Sequence, residues 1–384
     1  MASSYDSFLQ ARLVWCAQVF SARSMRRCLL FLVDKYQWQG TGLEHSAVRM
    51  CRGLHERGYE VHVLCEQGEP HEEVNIHYEL NQIESLKYSI NPELVIDWGF
   101  HHEADIHRMG AGTHEGYLRH YMEAYHGLHR RIKRLERFLP KHQSVIRTQR
   151  HHLSNPNAWF LANSHLTASM AVDGGACPER VEVIHQHVHL DEFDEKIALS
   201  HRHSIRKSWG VRDNEVVFLF VAHNLRLKNF NLLRRIFERG NLGSAKLVVI
   251  GKHKPRHQAP WLIYGGLSTE MVSVYGGADA LVHPTFFDSC ANVALEAASC
   301  GLPVLISRTS GINEIFPDEW GFNVQGDILG VVTQWEKAMR NIALDRDLRN
   351  ALGKKGSAVA KKYPYNAFLD NIESFIKKVS KDRE

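Results

Sequence analysis

HPTFFDSCANVALEAASCGLPVLISRTSGINE, residues His283–Glu314, carries the pattern that decides the fold class. The apolar run just before it, residues 280–282, ends at His283-Pro284, and proline cannot continue a central strand. A stretch typical of a helix follows, and then a second apolar run at residues 303–306. Strand, helix and strand in this order predict an α/β domain built on a parallel sheet.

Two acids in this segment are candidates for ligand binding. Asp288 and Ser289 are good N-cap residues for the predicted helix, which Gly301 with Pro303 would end. Open α/β sheets bind ligands at the carboxyl ends of their strands, and a helix N-terminus offers unpaired N–H groups to phosphate. Glu296, eight residues after Asp288, could accept two hydroxyl hydrogen bonds from a sugar or ribose. The alternative is that Asp288 only caps the helix and Glu296 is a surface charge.

Length and composition narrow the class of protein. A chain of 384 residues predicts two domains. Its seven cysteines have no CxxC spacing, which favours reduced thiols in the cytoplasm. No stretch approaches 18 apolar residues and no signal peptide is evident, so neither is predicted. The 25 histidines lack zinc-site spacing, so no metal is predicted. They form two clusters, His101-His102 and His185, His187 and His189, which are interpreted as loop residues that make hydrogen bonds; a metal site is the alternative.

Apolar runs alternate with helical patterns in both halves of the chain. The predicted strands outside the opening segment are residues 28–33, 58–65, 94–97, 159–164, 181–184, 216–221 and 246–251. We expect two doubly wound Rossmann-like domains facing a cleft. The predicted parts are a peripheral N-terminal extension (1–25), an acceptor-side domain (26–195), a donor-binding domain (196–360) and a C-terminal helix that packs back toward the N-terminal domain (361–384). The charged stretch 191–208 is interpreted as the linker.

A basic segment at residues 126–152 carries eight Lys and Arg against one acid, with leucines and isoleucine at helical spacing. Such a helix can lie on an anionic membrane surface or meet a phosphorylated acceptor. The alternative is a domain helix whose apolar stripe faces the core. Nucleic-acid binding is not predicted, because no aromatic residues are interleaved with the charges.

Taken together, these motifs resemble those of the retaining family-4 glycosyltransferases of the GT-B fold. The matching elements are His283-Pro284, the acid pair Asp288 and Glu296, Gly301–Val304, and Gly311–Glu314. Weaker matches are Thr41–Glu44 and Asn163–Thr167. Two positions depart from the family: Asp288 replaces the usual glutamate, and His185-Gln186-His187-Val188-His189 stands where the family has Pro-Asn-Gly-Val-Asp.

The resemblance implies roles for further residues. Arg226 and Lys228 look like the family's loop that holds the donor diphosphate, with no metal required. Asp288 would bind the hydroxyls of the donor sugar, and Glu296 would bind the ribose. The backbone at Ser289, Cys290, Ala291 and Asn292 would approach the sugar or phosphate, and Gly42 would let the first-domain loop approach the diphosphate. The pattern is most similar to the lipopolysaccharide core α-glucosyltransferase type, in which Asp105 would act on the acceptor hydroxyl. His101 or His102 are the alternatives.

The function implied is transfer of a hexose from a nucleotide diphosphate sugar, with a UDP-hexose favoured, to a glycan or glycolipid in cell-envelope or lipopolysaccharide synthesis. We expect a cytoplasmic enzyme, peripheral on the inner face of the membrane, that needs no cofactor besides its donor. Two alternatives stay open: a nucleotide-sugar epimerase of the same fold, and a non-catalytic scaffold that binds sugar nucleotides. The tripeptide Asp345–Asp347 could be a DxD metal motif, but a helix cap is favoured.

Overall fold

The structure is a computed structural model that describes residues 27–37, 42–70, 72–78, 82–125 and 127–383. The predicted N-terminal extension, residues 1–25, and Thr41, the first residue of the weaker match Thr41–Glu44, lie outside the described residues. The strands are β1 (Cys28–Tyr36), β2 (Glu60–Gly68), β3 (Asn75–Tyr78), β4 (Leu94–Asp97), β5 (Ile106–Met109), β6 (Trp159–Ala162), β7 (Val181–Val183), β8 (Val217–Val221), β9 (Lys246–Ile250), β10 (Leu262–Gly266), β11 (Ala280–His283), β12 (Val304–Ser307) and β13 (Gly321–Phe322).

Helices alternate with these strands along the described chain. The α-helices are Gly42–Glu56, Ile83–Ile90, His114–Tyr121, Gly127–Glu136, Pro140–Leu153, His165–Gly174, Glu195–Ser200, Arg202–Trp209, Phe230–Glu238, Met271–Gly277, Asn292–Ser299, Ile328–Leu344, Arg346–Ala360 and Tyr365–Arg383. Short 3₁₀ turns include Gly311–Ile315.

The strands form two parallel sheets, one of seven strands in the order β3-β2-β1-β4-β5-β6-β7 and one of six in the order β10-β9-β8-β11-β12-β13. This confirms the predicted class of two parallel-sheet α/β domains. The sequence analysis does not predict strands β3, β5, β10 and β13. Strands β3, β10 and β13 are short or incompletely buried, and β10 has no fully buried residue, so their apolar signal is weak. Strand β5 is buried, but it contains His107 and Arg108 and therefore has no apolar run.

The described chain divides into two compact units: residues up to His107 together with those from Ile376 onward, and residues Arg108–Phe375. The domain boundaries expected from the sequence stay a prediction. In the first unit, Arg383 Nη1 donates to the carbonyl oxygen of Glu93 and to Asp105 Oδ2, each at 2.9 Å. Ser380 also donates to Glu93 Oε1 at 2.5 Å. The end of the last helix is thereby attached within this unit.

In the second unit, the central strand β8 of the six-stranded sheet is buried on both faces. Val217 and Leu219 of β8 belong to one apolar cluster, and Phe218 and Phe220 belong to another. Successive side chains of a strand point to opposite faces, so β8 is covered by helices on both sides. This double burial is why its sequence reads as an unbroken apolar run.

The stretch interpreted as a linker is largely helical, at Glu195–Ser200 and Arg202–Trp209. Asp279 holds it to the sheet: Arg202 Nη2 lies 2.7 Å from Asp279 Oδ1, and the buried Arg206 Nη1 lies 3.1 Å from Oδ2. Some of the charged residues in this stretch therefore form ion pairs with the domain and are not simply exposed to solvent.

Candidate functional site

The order of the six-stranded sheet places two loops side by side. The chain runs from β8 outward through β9 and β10, and then returns to build β11, β12 and β13 on the other side of β8. The border between β8 and β11 is thus a topological switch point, where the loops leaving adjacent strands diverge and leave a crevice. Residues 222–229 follow β8 and residues 284–291 follow β11, and these are the loops that carry the predicted donor-site residues.

Lys228 and Asp288 meet at this switch point. The Lys228 ammonium pairs with Asp288 Oδ2, and His283 Nε2 lies 3.1 Å from the same oxygen. Burial by itself would raise the pKa of Asp288, but the charge of Lys228 and the hydrogen bond from His283 outweigh it, so this pKa lies well below its usual range. Asp288 is therefore a carboxylate at neutral pH, oriented by two partners.

Hydrogen bonds between the two loops fix this pair. Phe286 N–H and Thr285 Oγ1 both donate to the carbonyl oxygen of Leu227, at 2.9 and 3.2 Å. Asn229, directly after Lys228, has φ 61°, a left-handed conformation that asparagine adopts more readily than most residues. The backbone beside Lys228 is thus held in a specific turn before the helix Phe230–Glu238 begins.

The prediction that Asp288 or Ser289 caps the following helix is wrong. The helix begins at Asn292, and Ala291 occupies the N-cap position without a side-chain hydrogen bond. Asp288 Oδ1 instead accepts from Cys290 N–H at 3.2 Å within the loop. The ion pair with Lys228 outweighs the local capping preference, and Asp288 lies four residues before the first residue of the helix.

The residues after Asp288 have distinct environments. Ser289 Oγ donates to the carbonyl oxygen of Gly110 at 2.7 Å, and its own carbonyl accepts from Ser164 Oγ at 2.8 Å. Cys290 is buried, and burial raises the pKa of its thiol well above its ordinary value. Asn292 Oδ1 is buried and has no hydrogen-bond partner among the described residues. An unsatisfied acceptor at a helix start is suited to a ligand hydroxyl.

Glu296 lies one turn into the helix and is held by a buried tyrosine. Tyr275 Oη donates to Glu296 Oε2 at 2.6 Å. Burial, followed by the charge of Glu296, raises the pKa of Tyr275 well above its ordinary value, so the phenol keeps its proton. The tyrosine hydroxyl thereby orients the Glu296 carboxylate, and its predicted contact with a ribose stays a prediction.

Arg226 lies beside an aromatic residue that sequence reasoning missed. Its guanidinium carbon lies 4.6 Å from the centroid of the Tyr125 ring, within the range of a cation–π contact. Lys133 Nζ lies 5.3 Å from the same centroid, and Tyr121 Oη is 2.8 Å from Tyr125 Oη. The tyrosines were visible in the sequence, but nothing in their local pattern pairs them with a loop so far along the chain.

The remaining predicted site residues belong to the first unit. Gly42 begins the helix Gly42–Glu56. Asp105 Oδ2 accepts from Val95 N–H at 2.7 Å as well as from Arg383. His101 Nε2 is 3.3 Å from Asp34 Oδ2, and the His101 and His102 rings are 6.4 Å apart. The roles of these residues toward an acceptor stay predictions.

The Asp-Arg-Asp tripeptide is part of a helix cap, as the sequence favoured. Asp345 is the N-cap of the helix Arg346–Ala360, and its Oδ1 accepts from Leu348 N–H at 2.8 Å. The carboxylate of Asp345 is used in the local turn.

The pH dependence of stability gives a test of the His283 environment. Burial, aided by the charge of Lys228, lowers the pKa of His283 below its ordinary 6.5 even though Asp288 opposes the shift. Below about pH 6.5 the unfolded imidazole takes a proton that the folded one does not, so stability falls as pH falls, by up to about 1.4 kcal/mol per pH unit. The free energy of unfolding should therefore decrease between pH 7.5 and 5.5, and we expect His283→Gln to remove the contribution of His283 to this decrease.

Urea denaturation of the chain and the variant at both pH values measures the difference. Replacing the exposed His203 by glutamine is the matched control and should leave the slope unchanged. Equal slopes for the parent chain and the His283 variant would contradict the buried neutral imidazole.

Part of the second unit is similar to a known family of proteins. Residues 201–359 match the model of the family Glycosyl transferases group 1. That range contains β8 to β13 and every predicted donor-site residue of the second unit. An uncharacterized glycosyltransferase of Methanocaldococcus jannaschii is 32% identical over 157 residues, which are 37% of this chain and 40% of that protein. A D-inositol 3-phosphate glycosyltransferase of Corynebacterium jeikeium is 34% identical over 104 residues, covering 27% of this chain and 24% of that protein.

Solved structures match over most of the chain. WaaG, a glycosyltransferase involved in lipopolysaccharide biosynthesis, superposes with TM-score 0.73 at 15% identity, over 91% of this chain and 99% of that one. HepE of Anabaena, in complex with UDP and glucose, gives TM-score 0.67 at 14% identity, over 92% and 100% of the two chains. The fold is therefore that of GT-B glycosyltransferases. The chain spans two fifths or less of the two curated sequence relatives described above.

Proposed function

We propose that this chain is a retaining family-4 glycosyltransferase that moves a hexose from a nucleotide diphosphate sugar to a glycan or glycolipid acceptor. The observation that carries the proposal is the Lys228–Asp288 ion pair at the switch point between β8 and β11, inside the segment that matches the family model. A UDP-hexose is the favoured donor, and the UDP and glucose in the HepE structure support that choice by analogy of fold.

Charge is the first requirement of this reaction. Breaking the bond between the sugar carbon and the diphosphate oxygen leaves negative charge on the departing diphosphate. Lys228 and Arg226 lie in one loop and supply fixed positive charge for it, worth about 3 kcal/mol per well-placed donor. When the donor binds, Lys228 exchanges part of its contact with Asp288 for the phosphate oxygens.

Recognition of the sugar and ribose falls to the acids. Asp288 is ionised and can accept hydrogen bonds from sugar hydroxyls, while Asn292 Oδ1 offers a further acceptor. Glu296, oriented by Tyr275, is assigned to the ribose.

The new glycosidic bond forms on the face of the sugar that the diphosphate leaves, and an oxygen of the diphosphate takes the proton of the acceptor hydroxyl. Asp105 is proposed to orient that hydroxyl, with His101 or His102 as the alternatives, and Gly42 to allow backbone approach to the diphosphate.

The purified chain can be assayed with UDP-, GDP- and ADP-hexoses, with and without a glycan and glycolipid extract. Release of nucleoside diphosphate that depends on the extract is the expected result. Isomerisation of the sugar nucleotide without extract, with no net release of nucleoside diphosphate, would favour the epimerase, and binding without turnover in any extract would favour the scaffold. Either outcome would overturn the transferase assignment.

The basic segment is proposed to contact an anionic membrane from the cytoplasmic side. Leu128, Ile132 and Leu135 are 69, 50 and 66% exposed, and the helix Gly127–Glu136 has no buried residue. The apolar stripe of this helix is therefore exposed, which supports a surface contact, whereas the second helix of the segment, Pro140–Leu153, buries Ile146 and Leu153. An exposed apolar face flanked by Arg and Lys is suited to the interface of an anionic bilayer. No helix among the described residues is long and apolar enough to cross a membrane.

Flotation with liposomes tests this contact. Exchanging three exposed cations, Arg131, Arg134 and Lys141, for glutamine should weaken binding to phosphatidylserine liposomes about 100-fold, since each cation near the surface contributes about 1 kcal/mol. Replacing Leu128 and Leu135 by serine should also weaken binding, because it removes the apolar area that enters the interface.

The matched control neutralises three exposed lysines elsewhere, Lys354, Lys361 and Lys362. It has the same net charge as the first variant and should bind nearly as the parent chain does. If the two triple variants lost the same amount of liposome binding, the attraction would be non-specific. If the parent chain did not bind the liposomes at all, the proposed membrane contact would be wrong.

A further inference from the structure

Two histidines and a glutamate from three separate segments of the second unit lie close together. His165 is the first residue of the helix His165–Gly174, His185 follows β7, and Glu314 belongs to the 3₁₀ turn Gly311–Ile315. One possible ligand atom from each of the three lies within 4.8 Å of the others. None of them is used in the proposed transfer reaction.

Glu314 is already oriented toward this point. Its Oε1 and Oε2 accept from the backbone N–H of His165 at 2.8 and 3.1 Å, and His185 Nε2 lies 2.7 Å from Oε1. The His165 and His185 rings lie edge to face, with centroids 5.8 Å apart. A carboxylate fixed by backbone and faced by two imidazoles loses little conformational freedom when it takes a cation.

We propose that His165, His185 and Glu314 form a Zn²⁺ site. Two imidazole nitrogens and one carboxylate oxygen are a donor set that zinc accepts in a tetrahedral site whose fourth position is left to solvent. All-oxygen coordination, which Ca²⁺ and Mg²⁺ favour, is not offered here.

The rearrangement needed is small. Zinc bonds of about 2.0–2.1 Å at tetrahedral angles separate ligand atoms by about 3.3 Å. His185 Nε2 and Glu314 Oε1, at 2.7 Å, must therefore move apart by about half an ångström. The metal then replaces the proton shared between them, and His165 reaches the ion by rotating an exposed ring.

The site touches segments that hold the Asp288 loop. Gly311, in the same turn as Glu314, donates its N–H to the carbonyl oxygen of Asp288 at 2.9 Å. Ser164, next to His165, donates to the carbonyl oxygen of Ser289. Bound zinc would therefore stabilise the backbone conformation of the loop that contains Asp288. The zinc ion itself would not contact the donor. The sequence signal was the replacement of the family's usual Pro-Asn-Gly-Val-Asp by a segment that begins at His185.

The test is zinc titration of the metal-stripped full chain against a chromophoric zinc chelator, in a Cys177→Ser background because the exposed Cys177 thiol can bind zinc itself. We expect one zinc per chain. His165→Ala and His185→Ala should each weaken it about 100-fold, because losing a direct ligand costs at least as much as losing a supporting contact. His165→Ala is the cleaner variant, since its side chain is exposed and its backbone N–H to Glu314 is kept.

His203→Ala is the matched control, an exposed histidine outside the triad, and should leave the affinity unchanged. Cobalt substitution gives a readout independent of activity: tetrahedral Co²⁺ should show visible bands that disappear in His165→Ala. Equal zinc affinity in all these variants, or no stoichiometric binding at about 100 μM zinc, would overturn the site. Because these measurements need no sugar nucleotide, they stand or fall separately from the transferase assignment.

Discussion

Lys228→Ala is expected to lower the turnover of the nucleotide sugar about 100- to 1000-fold. In the proposed reaction the lysine ammonium is aimed at charge that develops on the departing diphosphate. Removing one such preorganised donor costs about 2.7–4 kcal/mol in comparable sites. Its ion pair with Asp288 places the ammonium at the switch point rather than in bulk solvent, with 19% of its side chain exposed. Steady-state release of nucleoside diphosphate measures the effect.

Lys207→Ala is the matched control, because Lys207 is an exposed lysine of the same unit. Its turnover should equal that of the parent chain. The far-ultraviolet circular dichroism spectrum of Lys228→Ala should also be unchanged, so that loss of activity is not loss of fold. Unchanged turnover in Lys228→Ala would remove the phosphate role of this residue.

The second large effect is expected for Asp288→Asn. The amide keeps the size of the side chain but removes the negative charge that Lys228 pairs with and one strong acceptor for sugar hydroxyls. We expect turnover to fall at least about 100-fold, since the variant loses both charge complementarity and a charge-assisted hydrogen bond. Asp288→Glu restores the residue usual in the resembled family and should retain more activity than the asparagine variant.

Asp347→Asn is the control for this experiment. Asp347 is exposed and belongs to the Asp-Arg-Asp tripeptide, so the variant also tests whether that tripeptide acts in catalysis. Parent-like turnover is expected. If Asp347→Asn lost as much activity as Asp288→Asn, the tripeptide would have to be reconsidered as a functional motif; if Asp288→Asn were fully active, the assignment of the sugar contact would be wrong.

The fold could be predicted where burial is complete on both faces of a strand. The runs in β1, β8 and β9 are almost wholly buried, so their sequences are apolar throughout and easily found. Strand β10 is partly exposed along its length, and β13 has two residues. Neither offers a periodic signal, because edge strands are defined by pairing with a neighbour rather than by their own composition.

The positions of Asp288 and Glu296 relative to the strand and the helix could be predicted from the sequence, but their contacts could not. The spacing of Asp288 and Glu296 indicated two acids on one loop and helix, and both lie there. The helix start was misplaced because capping preference is local, whereas Asp288 is held by Lys228 from another loop. The Tyr125–Arg226 contact joins distant parts of the chain, and no local pattern encodes it. The exposure of Leu128 and Leu135 likewise depends on what packs against the helix, which amphipathic periodicity does not specify.

The most direct test of the central claim is isothermal titration of the purified chain with UDP-hexose and with UDP. If residues 222–229 and 284–296 form a nucleotide-sugar site, both ligands should bind with one site per chain. Lys228→Ala should weaken UDP binding at least about 10-fold through loss of a phosphate contact, and Lys207→Ala should not. The contradicting result is the absence of saturable binding of UDP-, GDP- and ADP-sugars alike to a folded chain.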